Sequence, residues 1–118
     1  MIQEFNSIKE IQKYYDDKSN TYIFKENDEY IDTVVFNFDL NVKANIDALD
    51  IDAHNIEAYG INAYNINANN INVYNINAND INYYAVCYAY NNIKCKSIKG
   101  RRRNAKHFVL DGKLEVLE

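Results

Sequence analysis

Side chains capable of nucleophilic, acid–base or metal chemistry are few in this chain. There are two histidines, His54 and His107, and two cysteines, Cys87 and Cys95. A zinc site needs three or four Cys, His or carboxylate ligands at short spacings, and no such spacing occurs. Two cysteines separated by seven residues make no disulfide framework and no metal motif. Asp47, Asp50, Asp52 and Glu57 lie close together, but paired acid–base work needs two carboxylates in unlike environments. These four occupy positions where neighbouring segments carry Asn, as expected of solvated acids. His54 likewise stands where Tyr or Asn stands elsewhere. No phosphate-binding glycine loop or nucleophile motif appears. The expectation is a protein that is not an enzyme and that takes no cofactor or metal.

What remains is chemistry of surfaces. Asp47, Asp50, Asp52 and Glu57 form one group, an acidic face. Tyr59, Tyr64 and Tyr74, set among Asn, form a second; tyrosine adds large amphipathic contact area at modest entropy cost. Lys96, Lys99, Arg101, Arg102, Arg103 and Lys106, with Lys94, form a third and suit phosphates or an acidic protein. Between residues 94 and 106 no aromatic residue interleaves these bases, so stacking of single-stranded bases is not indicated. The charge is polarised: residues 1–57 carry −8, residues 58–93 carry −1 and residues 94–118 carry +5.

The elements that must position these groups are set by an internal repeat. Ile46, Ile51, Ile56, Ile61, Ile66, Ile71, Ile76 and Ile81 fall every fifth residue, followed by Val86. Ala48, Ala53, Ala58, Ala63, Ala68, Val73 and Ala78 shadow the first seven, two places on. The unit is [Asn/Asp]-Ile-[Asn/Asp/Glu]-Ala-x, with Gly60 the one departure at its first position. Ile and Ala two apart in an extended segment point the same way. The next residues must turn the chain before the following Ile returns inward. Repeated, this is a solenoid whose coils stabilise one another by stacking. Asn beside each Ile suits corners, where its amide bonds nearby backbone and tolerates left-handed dihedrals.

Flanking segments read differently. Ser7 and Glu10 fit a capping box, and Ile8, Ile11 and Tyr15 share one face of an α-helix. Residues 22–24 and 30–31 read as short strands around a polar turn. Phe36, Phe38, Leu40, Val42, Ala44, Ile46 and Ala48 alternate with polar residues, as in one half-buried strand. Asp111 and Gly112 between two apolar runs signal a tight hairpin.

The repeat resembles that of the pentapeptide-repeat family, whose usual pattern is A-[DN]-L-x-x. The resemblance covers about residues 44–83 and runs loosely through Ile93, Cys95 and Ile98. It implies a mainly β fold, a right-handed four-sided β-helix with one repeat per side and twenty residues per coil. Ile46, Ile66 and Val86 would then stack, as would Ile51 with Ile71, Ile56 with Ile76, and Ile61 with Ile81. One departure is visible: Ile comes first here and Ala second, the reverse of the family's order. The expected organisation is an N-terminal helix and short-strand cap over 1–35, solenoid repeats over 36–100 and a hairpin cap over 101–118.

By the same resemblance, some family members imitate double-stranded DNA and occupy enzymes such as type II topoisomerases. This implies an inhibitor or protector that presents its acidic face to a nucleic-acid-processing protein, including a phage-targeting defence nuclease. The neutral Asn surface after Ala58 falls short of DNA's charge density, about one charge per 1.7 Å of axis. The alternatives are nucleic-acid binding through the basic segment, and a structural module that pairs with a second copy or joins a larger assembly. No apolar run approaches the roughly 20 residues that span a bilayer, and residues 1–10 do not read as a signal peptide. A cytoplasmic setting in a bacterium or a phage-infected cell is expected, with a protein partner and no membrane.

Overall fold

The computed structural model describes residues 2–117; Met1 and Glu118, which bound the expected first and last segments, lie outside the described residues. The chain is mainly β and winds as a solenoid of stacked parallel coils. The register sets the coil length. Ile61 pairs with Ile46 on one side and Ile76 on the other, so fifteen residues complete a coil. Ile66 likewise lies between Ile51 and Ile81.

Three repeats therefore make one coil, and the strands fall into three stacks. The first side runs through Ile2–Phe5, Thr33–Phe36, Asp50–Ala53, the start of Asn65–Asn77, the start of Asp80–Cys95, and Ser97–Gly100. The second side runs through Leu40–Asn41, Asn55–Glu57, the middle of both long strands and Lys106–Val109. The third side runs through Thr21–Ile23, Asn45–Asp47, Gly60–Asn62, the ends of both long strands and Leu114–Val116.

The expected four-sided coil, and the Ile stacks drawn from it, are thus corrected. Ile46 stacks with Ile61, Ile76 and Ile93, and Ile51 with Ile66, Ile81 and Ile98. Ile56 stacks with Leu40, Ile71 and Cys87. A five-residue repeat fixes the length of a side and leaves the number of sides open. The exchanged order of Ile and Ala bears on that number. Ile sits mid-side and fills the centre, while Ala sits beside the corner, where only a methyl group separates converging sides. Acute corners suit that placement. Val86 leaves the expected stack because Tyr83 takes the Ala position opposite Ala68 and the next corner is a residue longer. Val86 then points out and Cys87 points in.

Corners are satisfied through the backbone. The carbonyls of Leu49, His54, Tyr59, Tyr64 and Asn79 each accept two N–H groups from the corner of the following coil. These bonds give the corner N–H groups backbone partners, as buried backbone requires. Among the described residues the only non-glycine positive φ values are at Asn20, Asn27 and Asp28, outside the repeats. The Asn residues beside each Ile therefore do not turn the chain through left-handed backbone. On two sides their amides form ladders instead: Asn65 Nδ2 donates to Asp50 at 2.8 Å on the first, and Asn70 donates to Asn55 at 2.8 Å and Asn55 to Asp39 at 3.0 Å on the second.

Three flanking expectations change in the same way. Alternation from Phe36 to Ala48 matches burial, with only Phe38 partly exposed, yet it spans three sides of a coil rather than one strand. Inside–outside alternation continues around corners. The N-terminal helix, Ile8–Tyr14, is of 3₁₀ type, so residues three apart share a face. Ile11 and Tyr14 are buried, whereas Tyr15 is exposed. The capping box is half made: Glu10 accepts from the Asn6 N–H and the Ser7 hydroxyl, while Ser7 caps no helix amide. At the other end the expected hairpin is absent. Lys106–Val109 and Leu114–Val116 each pair in parallel with Asp80–Cys95 and not with each other. The open edge of the preceding coil gave each run a partner. Gly112 serves close approach there, since a Cβ would run into the Asn91 carbonyl oxygen.

Candidate interaction surfaces

The four acids do not make one face. Asp47 lies on the third side, Asp50 and Asp52 on the first, and Glu57 on the second. They ring one coil. Two are already engaged: Asp50 accepts from Asn65, and Asp47 accepts the Tyr30 hydroxyl at 2.7 Å. That bond to Asp47, with some burial, pushes the Tyr30 phenol up to about 12.

The tyrosines divide similarly. Tyr59 and Tyr74 belong to one corner and stack at 5.4 Å with an interplanar angle of 7°. Tyr90 extends the column at 5.8 Å from Tyr74. Tyr64 belongs to a different corner, beside Leu49 and Tyr30. Both rings remain exposed along the corner. The column's signal was the spacing of Tyr59, Tyr74 and Tyr90, which follows coil length rather than repeat length.

Five of the basic residues converge at the corner between the first and second sides of the last coil, while Lys94 lies on the third side. Lys99 ends the first side, Arg101, Arg102 and Arg103 form the corner, and Lys106 opens the second side. Lys96 lies at the preceding corner, where its N–H bonds the Asn79 carbonyl. Arg101 donates to the Ala68 carbonyl at 3.3 Å and lies 5.8 Å from the Tyr84 ring centroid. Tyr88 and Phe108 stack at 4.8 Å on the adjoining side. These aromatics come from the coil beneath as well as from the last coil, so linear interleaving gave no sign of them.

The last coil also carries apolar residues that sequence reasoning had assigned to a hairpin. Leu114 and Val116 occupy the same inward positions as Ile93 and Cys95 below them. Ile93 and Cys95 are wholly buried, yet Leu114 is 37% and Val116 50% exposed. Leu110 and Phe108 are exposed beside them. Among the described residues no further strand pairs with this coil.

The histidines and cysteines stay apart. His54 is an exposed corner residue. His107 Nδ1 lies 2.7 Å from the Tyr83 hydroxyl. Cys87 and Cys95 are free, buried thiols facing the solenoid interior. Burial, with a smaller effect from Cys95, pushes the Cys87 thiol up to about 12, away from the reactive thiolate. Among the described residues no cluster of three metal-ligating side chains forms. No helix there is long and apolar enough to cross a membrane. No protein-family model, curated protein or solved structure matches this chain.

Proposed function

We propose that this chain is a non-enzymatic interaction module, cytoplasmic in setting, that offers the open face of its last coil to an acidic protein. One observation carries the reading. Leu114 and Val116 hold interior positions but are exposed, and Arg101, Arg102, Arg103 and Lys106 lie on the same coil. An apolar centre with a charged rim is the usual anatomy of a protein interface. Unpaired strand edges add a template for a partner's backbone.

The pentapeptide-repeat resemblance remains one of repeat composition, and the fifteen-residue coil departs from the twenty-residue coil of that family. DNA mimicry by the acids fits the geometry less well, because they are distributed over three sides. A second reading has support of its own: the stacked Tyr88 and Phe108 beside the bases suit nucleic acid. Exposed Leu110, Leu114 and Val116 favour protein, since phosphates have no use for aliphatic contact.

The test is capture of partners by the immobilised chain from bacterial lysate, with and without nuclease. The native chain is compared with a triple R101E/R102E/R103E variant, a V116S variant and a D47N/D50N/D52N variant. Nuclease-resistant capture lost in the first two variants and kept in the third is expected. Capture that vanishes with nuclease moves the assignment to nucleic acid, and capture lost only in the third variant restores mimicry.

A further inference from the structure

One column of outward side chains follows the corner between the second and third sides from coil to coil. Backbone bonds set its order: the Tyr59 N–H donates to the Ala44 carbonyl, the Tyr74 N–H to that of Tyr59, and the Asp111 N–H to that of Tyr90. Tyr74 and Tyr90 are themselves ring neighbours. Five successive coils therefore present Lys43 (beside Ala44), Tyr59, Tyr74, Tyr90 and Asp111 at this corner. Tyr74 is the middle member. One coil away on each side lies an aromatic ring, and two coils away on each side lies a charge, each roughly 10 Å along the axis.

The column is open to solvent. Tyr59 is 39%, Tyr74 52% and Tyr90 43% exposed. Lys43 and Asp111 are exposed as well, and neither has an ion-pair partner among the described residues. Grooves of about 250 and 390 Å³ open along the rings, the first at Tyr59 and Tyr74, the second at Tyr74 and Tyr90. A run of tyrosines with a charge at each end has the composition of an interface centre with a polar rim.

We propose that this corner is the interface of a two-fold dimer, its occupant a second copy of this chain lying side by side with its axis reversed. In a two-fold interface residue i meets residue j and j meets i. A two-fold placed on Tyr74 pairs that ring with its own copy, Tyr59 with Tyr90, and Lys43 with Asp111. Charge decides the direction. With the two axes parallel, Lys43 would face Lys43, Asp111 would face Asp111, and residues 1–57, at −8, would lie beside the same acidic segment. Reversal sets that segment beside residues 94–118, at +5, in both halves of the dimer. Residues 58–93 between them carry only −1, so the aromatic centre meets its copy without strong repulsion. Pairing end to end through the last coil would instead bring its cluster of bases against the same cluster, and like charges face to face disfavour a contact. The dimer leaves the open face of the last coil free and does not rest on its assignment.

The test is sedimentation equilibrium of the chain from micromolar to millimolar concentration, where a monomer–dimer equilibrium is expected. Tyr74→Arg is expected to weaken the dimer at least tenfold while the chain keeps its cooperative thermal transition. Tyr64→Arg, at a different corner, is expected to leave it unchanged. Lys43→Asp and Asp111→Lys each set like charges face to face and are each expected to weaken it. The double variant exchanges the two charges and is expected to restore it. A monomer throughout the range overturns the proposal. So does a dimer that survives Tyr74→Arg, or one that the double exchange fails to restore. A dimer lost in Val116→Ser and kept in Tyr74→Arg would put self-association at the last coil and overturn it too.

Discussion

The two ends of the coil stack treat the same problem differently. At the N-terminal end, Ile11 and Tyr14 of the short helix are buried among Phe5, Phe24 and Phe36, with ring centroids 5.2–6.0 Å apart. Tyr14 donates to Glu26 at 2.6 Å, and Lys13 approaches the same carboxylate at 3.4 Å. At the C-terminal end, Leu114 and Val116 of the last coil are exposed and no further strand pairs with that coil among the described residues. Parallel coils stabilise each other only through their faces. The contrast is between a helix whose side chains are buried in the core at one end and a last coil whose Leu114 and Val116 stay exposed at the other; the proposed interface rests on the second.

The largest effect that sharpens this contrast is on stability. Ile11→Ala removes a fully buried side chain, and large-to-small changes of this kind cost about 2–5 kcal/mol. Leu110→Ser at the exposed end is expected to change stability by no more than about 0.5 kcal/mol. Urea unfolding of both variants checks the pair. Equal losses would erase the distinction between the ends.

A second expected effect is on pH dependence. The folded chain holds the Cys87 thiol and the Tyr30 phenol near 12, above their ordinary values. In the unfolded chain they titrate near about 8.5 and 10. Between those values and 12 the folded state keeps protons that the unfolded state has lost. Stability from these groups is therefore fully present below about pH 8.5 and falls as pH rises toward 12. The urea midpoint is expected to drop from pH 8 to pH 11, and to drop less steeply in Cys87→Val. Identical slopes would show that Cys87 is not the buried thiol described.

Smaller again is the difference between sides. Asn70→Ala breaks its bond to Asn55 and is expected to cost about 0.5–1.5 kcal/mol. Asn77→Ala, whose amide has no protein partner among the described residues, is expected to stay within about 0.5 kcal/mol. Thermal unfolding of the two variants measures the difference between a ladder amide and one without a protein partner.

Much of this was legible in the sequence. The Ile and Ala spacing gave the solenoid and its interior, because facing in or out is a local property of an extended chain. The number of sides was not legible from the repeat, since closure depends on the corner angle. Tyr59, Tyr74 and Tyr90 carried the coil length, but only for a reader already expecting three sides. Grouping residues by nearness along the chain put Asp47, Asp50, Asp52 and Glu57 on one face, whereas each corner sends its neighbours to another side. Of the basic residues, Lys99, Arg101, Arg102, Arg103 and Lys106 gather about one corner, whereas Lys94 and Lys96 lie before it on the third side and the preceding corner. Gly60 was visible as a break in pattern, and only the register shows that it interrupts the column of Asn45 and Asn75 on the third side.

The three-sided coil underlies every assignment of residues to surfaces. Its most direct test is cross-linking of two outward-facing cysteine pairs by a short thiol-reactive linker, with native Cys87 and Cys95 buried. Asn62 and Asn77 are register partners in adjacent coils, so Asn62→Cys with Asn77→Cys is expected to link rapidly and completely. Asn62→Cys with Asn82→Cys places the thiols on different sides and is expected to stay unlinked. The reverse result, with the second pair linked and the first not, would mean twenty residues per coil and would contradict the account.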